Sequence, residues 1–268
     1  MSEDNAETTN PIIPIAPETL EGYTWSRTGN FWFSSGDTAC ELSLTEAAKA
    51  AVNLPLAFMR NTDGLYQLVS VQGFQAEENL LVSKEGRWLS NYIPAQYRFH
   101  PFLLVQNDKE QLVLCFNNLH HQLKKNTDNE PFFTEDKELM PIINQVFEGL
   151  VERWHGLKQA QSVAMKLDQL GLIKPWEIII ESKGNGIRVD GYFCVDEQKV
   201  AGLSASELVD LRDTGALALA YCQMISMNNL PYLRSLQTDQ TGEASQSDGE
   251  INFALNAGDE GSLNFDNF

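Results

Sequence analysis

Apolar residues recur in steps of three and four from about Lys137 to Leu170. Leu139, Ile143, Val146, Leu150, Trp154, Leu157, Ala164 and Leu167 fall on one helical face. The spacing predicts a long mid-chain helix that Gly171 ends as a C-terminal cap, with Gly149 and Gly156 as its weakest points. Before it the period shortens to that of strands. Residues 56–60 and 65–71 flank Asn61-Thr-Asp-Gly64, a strong hairpin signal, and 102–106 and 111–116 flank Asn107-Asp-Lys-Glu110. A third pair is expected at 79–82 and 87–89 around a Glu-Gly turn, and a fourth from Trp176–Ile180 and Ile187–Val195 around Lys183-Gly-Asn-Gly186.

Two capping boxes punctuate this pattern. Ser43-Leu-Thr-Glu46 opens a helix expected over 44–52, and Ser204-Ala-Ser-Glu207 opens one to about Asp213. A short helix after Pro94, to about Arg98, and an apolar helix from Ala216 to Leu230 complete the helical elements. Strands dominate the first half and helices the second. The fold class expected is α+β, with a mainly antiparallel sheet, a long mid-chain helix and a helical C-terminal part.

The ends follow another logic. Residues 1–22 are polar, then punctuated by Pro11, Pro14 and Pro17, and are expected to form an extended, poorly ordered acidic lead-in. Residues 237–249 read as a flexible linker. Beyond it, Ile251 and Phe253, then Leu263 and Phe265, alternate on either side of a glycine-containing turn. This apolar–acidic tail (250–268) is expected to dock as a strand or hairpin, on its own body or on a second copy as a homo-oligomer contact. The folded domain is placed at residues 23–236.

Charge sharpens this division. The chain has 19 basic and 37 acidic residues, a net charge of −18, and its two base-free ends hold 12 of the 18 excess negative charges. The balance argues against a sequence-independent grip on nucleic acid and against docking on an anionic membrane. The acidic segment MSEDNAETTN has no apolar run, and no stretch approaches the ~18 apolar residues of a membrane span, so a cytoplasmic location is expected. Cys40, Cys115, Cys194 and Cys222 are widely spaced, form no CxxC and sit in apolar surroundings, as reduced buried thiols do.

Candidate chemistry is sparse. There is no GxGxxG, Walker loop, GxSxG or HExxH. His120 and His121 are adjacent and point apart on any regular element, and with Cys115 they lack metal-ligand spacing. No catalytic residue, metal or cofactor is expected. The densest recognition-like stretch holds Arg87, Trp88, Tyr92 and Arg98 beside Pro94 and Pro101. Arginines among flat aromatics suit a binding groove, although Arg can equally pair internally and Trp and Tyr can complete a core.

The same stretch, ENLLVSKEGRWLSNYIPAQYRFHPFLL, resembles the heart of the SapC family of bacterial proteins, as does LPLAF before it. Glu130-Pro-Phe-Phe133, LGLIKPWE (170–177), GYFCVDE (191–197) and LRDTGALALAYCQMIS (211–226) continue the resemblance in family order over about residues 54–236. The terminal INF…GSLNF is similar to the family's short ending. Where relatives often carry an acidic pair after the Leu-Cys strand, this chain has Asn117-Asn118. The resemblance implies an accessory or interaction protein that binds a protein partner or a small ligand. The family's links with flavin-dependent halogenase-like proteins suggest a flavoprotein partner, or else an enzyme subunit acting on peptide or amino-acid substrates beside one. The family name suggests a surface-layer component, a reading disfavoured by the lack of Sec signals and of Gly-Gly-x-Gly-x-Asp repeats.

Overall fold

The stretch with the strongest helical period becomes the longest element. In a computed structural model, which describes residues 11–27, 29–119, 122–125, 128–182 and 185–241, the chain opens with β1 (Ile12–Pro14), α1 (Pro17–Leu20) and β2 (Tyr23–Trp25). Then come β3 (Ala39–Glu41), α2 (Ala47–Ala51), the hairpin β4 (Leu56–Arg60) and β5 (Tyr66–Val71), and α3 (Ala95–Arg98). A second hairpin, β6 (Phe102–Gln106) and β7 (Leu112–Asn117), precedes β8 (Leu123–Lys125), β9 (Glu130–Pro131) and α4 (Pro141–Gln169). The remainder is β10 (Ile173–Pro175), β11 (Ile178–Ser182), β12 (Asn185–Val189), β13 (Phe193–Val195), α5 (Glu197–Ala201), α6 (Ala205–Asp213), α7 (Ala216–Ser226) and α8 (Leu230–Thr241).

The class is α+β. Among the described residues every strand pairing is antiparallel, in sheets of order β10-β13-β4-β5-β3, β1-β7-β6, β8-β2-β9 and β11-β12. The hairpin turns follow their sequences. Asn61 Oδ1 accepts the N–H groups of Asp63 (3.0 Å) and Leu65 (2.9 Å), and Gly64 takes the left-handed backbone (φ 77°) that closes the turn. Asn107 plays the same part for β6–β7, with Glu110 at the left-handed position (φ 60°).

Two apolar clusters share α4. Its N-terminal half sends Ile143 and Leu150 into a cluster with Leu20, Trp25, Phe102, Phe116 and Phe132, beside the β1-β7-β6 sheet. Its C-terminal half sends Ala160, Val163, Ala164 and Leu167 into the larger core, built on the five-stranded sheet and closed by α2, α6 and α7. At 29 residues, α4 is about 43 Å long, enough to span both. It starts at Pro141, whose fixed φ suits the first helical position, and ends at Gly171 (φ 65°), where Leu172 N–H returns to Leu167 O (3.0 Å).

Gly149 and Gly156 do not break the helix. They are the points where other chain segments touch its backbone. A Cβ on Gly149 would lie 2.5 Å from Phe99 Cζ, and one on Gly156 would lie 2.7 Å from Ser43 Cβ. The local propensity cost is outweighed by two close approaches that only glycine permits.

Four expectations are corrected. Residues 11–22 are not an unstructured lead-in: β1 pairs with β7 (Ile13 opposite Phe116), and Leu20 is buried. Consecutive Ile12 and Ile13 form the short strand, and burying one Leu contributes about 1.5–3 kcal/mol, which fixes a four-residue helix too short to stand alone. The pairing at 79–89 is a single bridge, Val82 to Trp88, because the segment turns inward to bury Asn79, Leu80 and Leu81. The apolar helix expected over 216–230 stops at Ser226, where a 3-10 turn (Met227–Asn229) re-aims the chain into α8. That last helix runs to Thr241, through the first five residues assigned to the linker, with Leu233 buried on its inner face. The tail residues Ile251, Phe253, Leu263 and Phe265 lie outside the described residues.

Replacing Gly149 by Ala tests the close approach. The gain in helix propensity is about 1 kcal/mol, and forcing a methyl into a filled contact costs about 1–3 kcal/mol. Gly149→Ala is expected to lower the melting temperature, and Phe99→Leu in the same chain to recover part of the loss. A rise in melting temperature for the single variant would remove the packing explanation.

Candidate functional site

The segment from Ser83 to Phe102 runs between the two apolar clusters, and one buried carboxylate holds its middle. Glu46, 5 % exposed, closes the turn before α2: its Oε2 accepts Ser43 N–H (3.1 Å) and Ser43 Oγ–H (2.8 Å). Its Oε1 reaches a distant part of the chain, accepting Ala95 N–H (2.7 Å) at the start of α3 and the Tyr92 hydroxyl (2.9 Å). Arg98 Nη2 stands 3.8 Å from the same oxygen, one turn along α3. The capping box read from Ser43-x-x-Glu46 is real, and it also clamps the candidate segment.

Three of the four candidate residues gather here. Trp88 packs against the larger core and donates its indole N–H to Tyr92 O (2.8 Å), closing the loop that leads to Pro94. Tyr92 packs against the same core, and burial, followed by the neighbouring Glu46 charge, pushes its pKa up. Arg98 lies over the Tyr92 ring at 6.0 Å, with its side chain 51 % exposed. Arg87 stands apart: it is exposed on the turn and its nearest ionic partner is the equally exposed Glu85 at 3.6 Å. Solvent screens an exposed pair of that kind, so it does not tie Arg87 to the site.

Arg98 and Phe99 form a partition between two concavities. On one side is a polar cleft of about 360 Å³ that includes Glu46, Lys49, Tyr92, Glu152 and Arg153. On the other is a cavity of about 380 Å³ walled by Phe31, Phe33, Tyr97 and His100, with Arg27 as a second cation. Phe33 and His100 stack face to face (3.7 Å between centroids, 4° between planes), and Phe31 packs on Trp88 at 5.6 Å. The floor reaches Trp25, which meets Phe102 edge to face at 4.7 Å.

Behind the aromatic wall runs a chain of buried polar groups. The Tyr97 hydroxyl lies 2.7 Å from Gln72 Oε1 and 2.8 Å from Asp37 Oδ2. Asn79 Nδ2 donates to the same Gln72 oxygen (2.9 Å) and to Ser34 O (2.9 Å). One phenolic proton faces two acceptors. Burial raises the Asp37 pKa from its ordinary 3.8, more than the Tyr97 hydrogen bond lowers it. A proton on Asp37 satisfies the whole chain, with the acid donating to Tyr97 and Tyr97 to Gln72. Nearby Cys40 is buried and its thiol is pushed up to about 12, mainly by desolvation; Cys194 is pushed up to about 11 for the same reason. All four cysteines carry free thiols. Among the described residues no group of three or more His, Cys, Asp or Glu could hold a metal ion. His120 and His121 lie outside the described residues.

The sequence pointed to Trp88, Tyr92 and Arg98, and missed what completes the site. Glu46 was legible only as a cap. Arg27, Phe31 and Phe33 come from a segment with no motif, and only tertiary contact sets them opposite His100.

Glu46→Gln is expected to destabilise the protein by about 2–4 kcal/mol, since the new NH₂ group faces donors where an oxygen accepted and charge-assisted bonds are lost. Urea unfolding measures it, and a change under about 0.5 kcal/mol, the range of ordinary surface substitutions, would show that the clamp is dispensable. Asp37 gives a pH dependence. Its raised folded pKa means the folded state keeps a proton that the unfolded state releases near 3.8. Its contribution is fully present below that value and is lost as pH rises through the folded pKa. Asp37→Asn, which cannot titrate, is expected to flatten the fall in urea midpoint between acid and neutral pH. Parallel profiles for variant and parent would show that Asp37 titrates alike folded and unfolded.

Comparison with known proteins adds one finding. A search of curated proteins gives no match, and neither does a search of solved structures. Among the described residues, no helix is long and apolar enough to cross a membrane. The SapC family model matches residues 17–233, from α1 into α8, and so covers α4, both apolar clusters and the Glu46 clamp. The chain belongs to the SapC family.

Proposed function

We propose that this SapC protein is a non-catalytic accessory protein of the cytoplasm that holds a small ligand in the cavity between Arg98 and the Phe33–His100 stack and presents it to a protein partner. The observation that carries this reading is the division of labour around Arg98. Two acid–base groups beside Arg98 are committed to structure: Glu46 accepts from Ser43, Tyr92 and Ala95, and Tyr97 closes the buried polar chain. The thiols of Cys40 and Cys194 are held protonated by burial, which suppresses their nucleophilicity. The cavity's 380 Å³ falls within the range of small-molecule sites, and its walls are mostly apolar with few polar groups. The partner we favour is a halogenase-like flavoprotein, the class that the family resemblance suggests.

Native mass spectrometry of the full chain purified from its own cells tests the reading. The parent is expected to carry a small molecule that denaturation releases, and Phe33→Ala, which opens one wall, to carry less of it. Purified halogenase-like flavoprotein from the same cells is expected to comigrate with the loaded chain in gel filtration. An unliganded mass for parent and variant alike would sink the reading. Conversion of the released molecule by this chain alone would replace it with the enzyme reading.

A further inference from the structure

The cavity's composition narrows the ligand, given its reading as a ligand site. We infer that it takes an aryl anion: a flat aromatic body bearing a carboxylate or comparable acidic group. Two observations converge. The walls are rings, with Phe33 and His100 stacked and Phe31 and Phe99 beside them, and flat apolar surfaces of this kind favour a planar guest by stacking and edge contacts. The charge at the cavity is cationic against the trend of the chain. The protein has 37 acidic residues and a net charge of −18, yet no acidic residue lines this cavity among the described residues, while Arg27 and Arg98 both do.

The arrangement also orients the guest. Arg27 is exposed and Arg98 half-exposed, so the cations stand toward solvent while the rings lie inside. The acidic group meets the two guanidinium forks, which hold carboxylates in paired hydrogen bonds, and the ring lies against the stacked Phe33–His100 wall. Glu46 lies 3.8 Å from Arg98 on the opposite side of the partition and holds that side chain in place without entering the cavity.

Isothermal titration of the full chain with four defined probes tests this: 2-naphthoate, neutral 2-naphthylmethanol, cationic 2-naphthylmethylammonium and non-aromatic cyclohexanecarboxylate. The expected order places 2-naphthoate at least about tenfold tighter than each of the others, the factor of one charge-assisted contact. Arg27→Gln changes an exposed side chain outside both apolar clusters, so folding is not at stake. It is expected to weaken 2-naphthoate by about fivefold or more while leaving 2-naphthylmethanol unchanged. Arg98→Lys keeps the charge near Glu46 and is expected to lose affinity through the missing fork. If the neutral or cationic probe binds as tightly as 2-naphthoate, or if Arg27→Gln leaves 2-naphthoate unaffected, the aryl-anion inference is overturned while the cavity remains a binding site. If no probe binds, this inference also falls. Native mass spectrometry then separates the two readings: a retained small molecule of another class preserves the ligand site, and an unliganded protein removes both.

Discussion

The Glu46 carboxylate is the contact on which the middle of the molecule depends. It lies at the start of α2, almost fully buried, and accepts hydrogen bonds from Ser43 on its own side and from Tyr92 and Ala95 on the other. A buried carboxylate is costly unless its lone pairs are occupied. Here the occupants come from segments nearly fifty residues apart, so the acid cannot be satisfied unless the two segments meet. That requirement sets where α3 begins, which way Arg98 projects and how Phe99 turns toward α4.

The long helix supplies the second constraint. One rigid element passes through both apolar clusters, so neither sheet can shift without moving α4 or losing contact with it. The two helical glycines set the distance of closest approach: Phe99 rests on Gly149, and Ser43 rests on Gly156, one residue type serving both ends of the same clamp. Ser43 is therefore held from two sides, by the helix backbone below and by the Glu46 oxygen above. Packing and hydrogen bonding agree on one position for the loop, which is how a segment with little regular structure of its own is ordered.

Recognition and architecture share residues in this region. Trp88 and Tyr92 complete the core and close hydrogen bonds, so their rings serve the cavity by fixing its frame. Arg98 is the residue that faces both ways, close enough to Glu46 to be steered and exposed enough to meet a guest. Arg87, equally prominent in the sequence, has no such anchor and lies on the open turn with Glu85. Density of arginine and aromatic residues along the chain therefore located the right loop but could not sort its members, because the sorting is done by Glu46 and Phe33, which approach from other segments.

What the sequence by itself determined is what local physics controls. The 3.6 period set the long helix, the Asn-centred turns set two hairpins, and Ser-x-x-Glu placed both helix starts, since each depends on residues within a few positions of one another. Family membership was legible for a similar reason, in short blocks kept in order along the chain. Tertiary structure alone decided the rest. Whether residues 11–22 would be ordered depended on an open edge at β7 and a vacant place for Leu20. Whether Gly149 and Gly156 would break a helix or seat it depended on what lay against them. The cavity itself is joined from residues 25–33 and 93–102 with a helix from residue 141 onward, and no period or motif links those segments. Its charge and shape arise from long-range packing, where the free energy of burying rings and pairing one carboxylate selects among arrangements that the local sequence leaves equivalent.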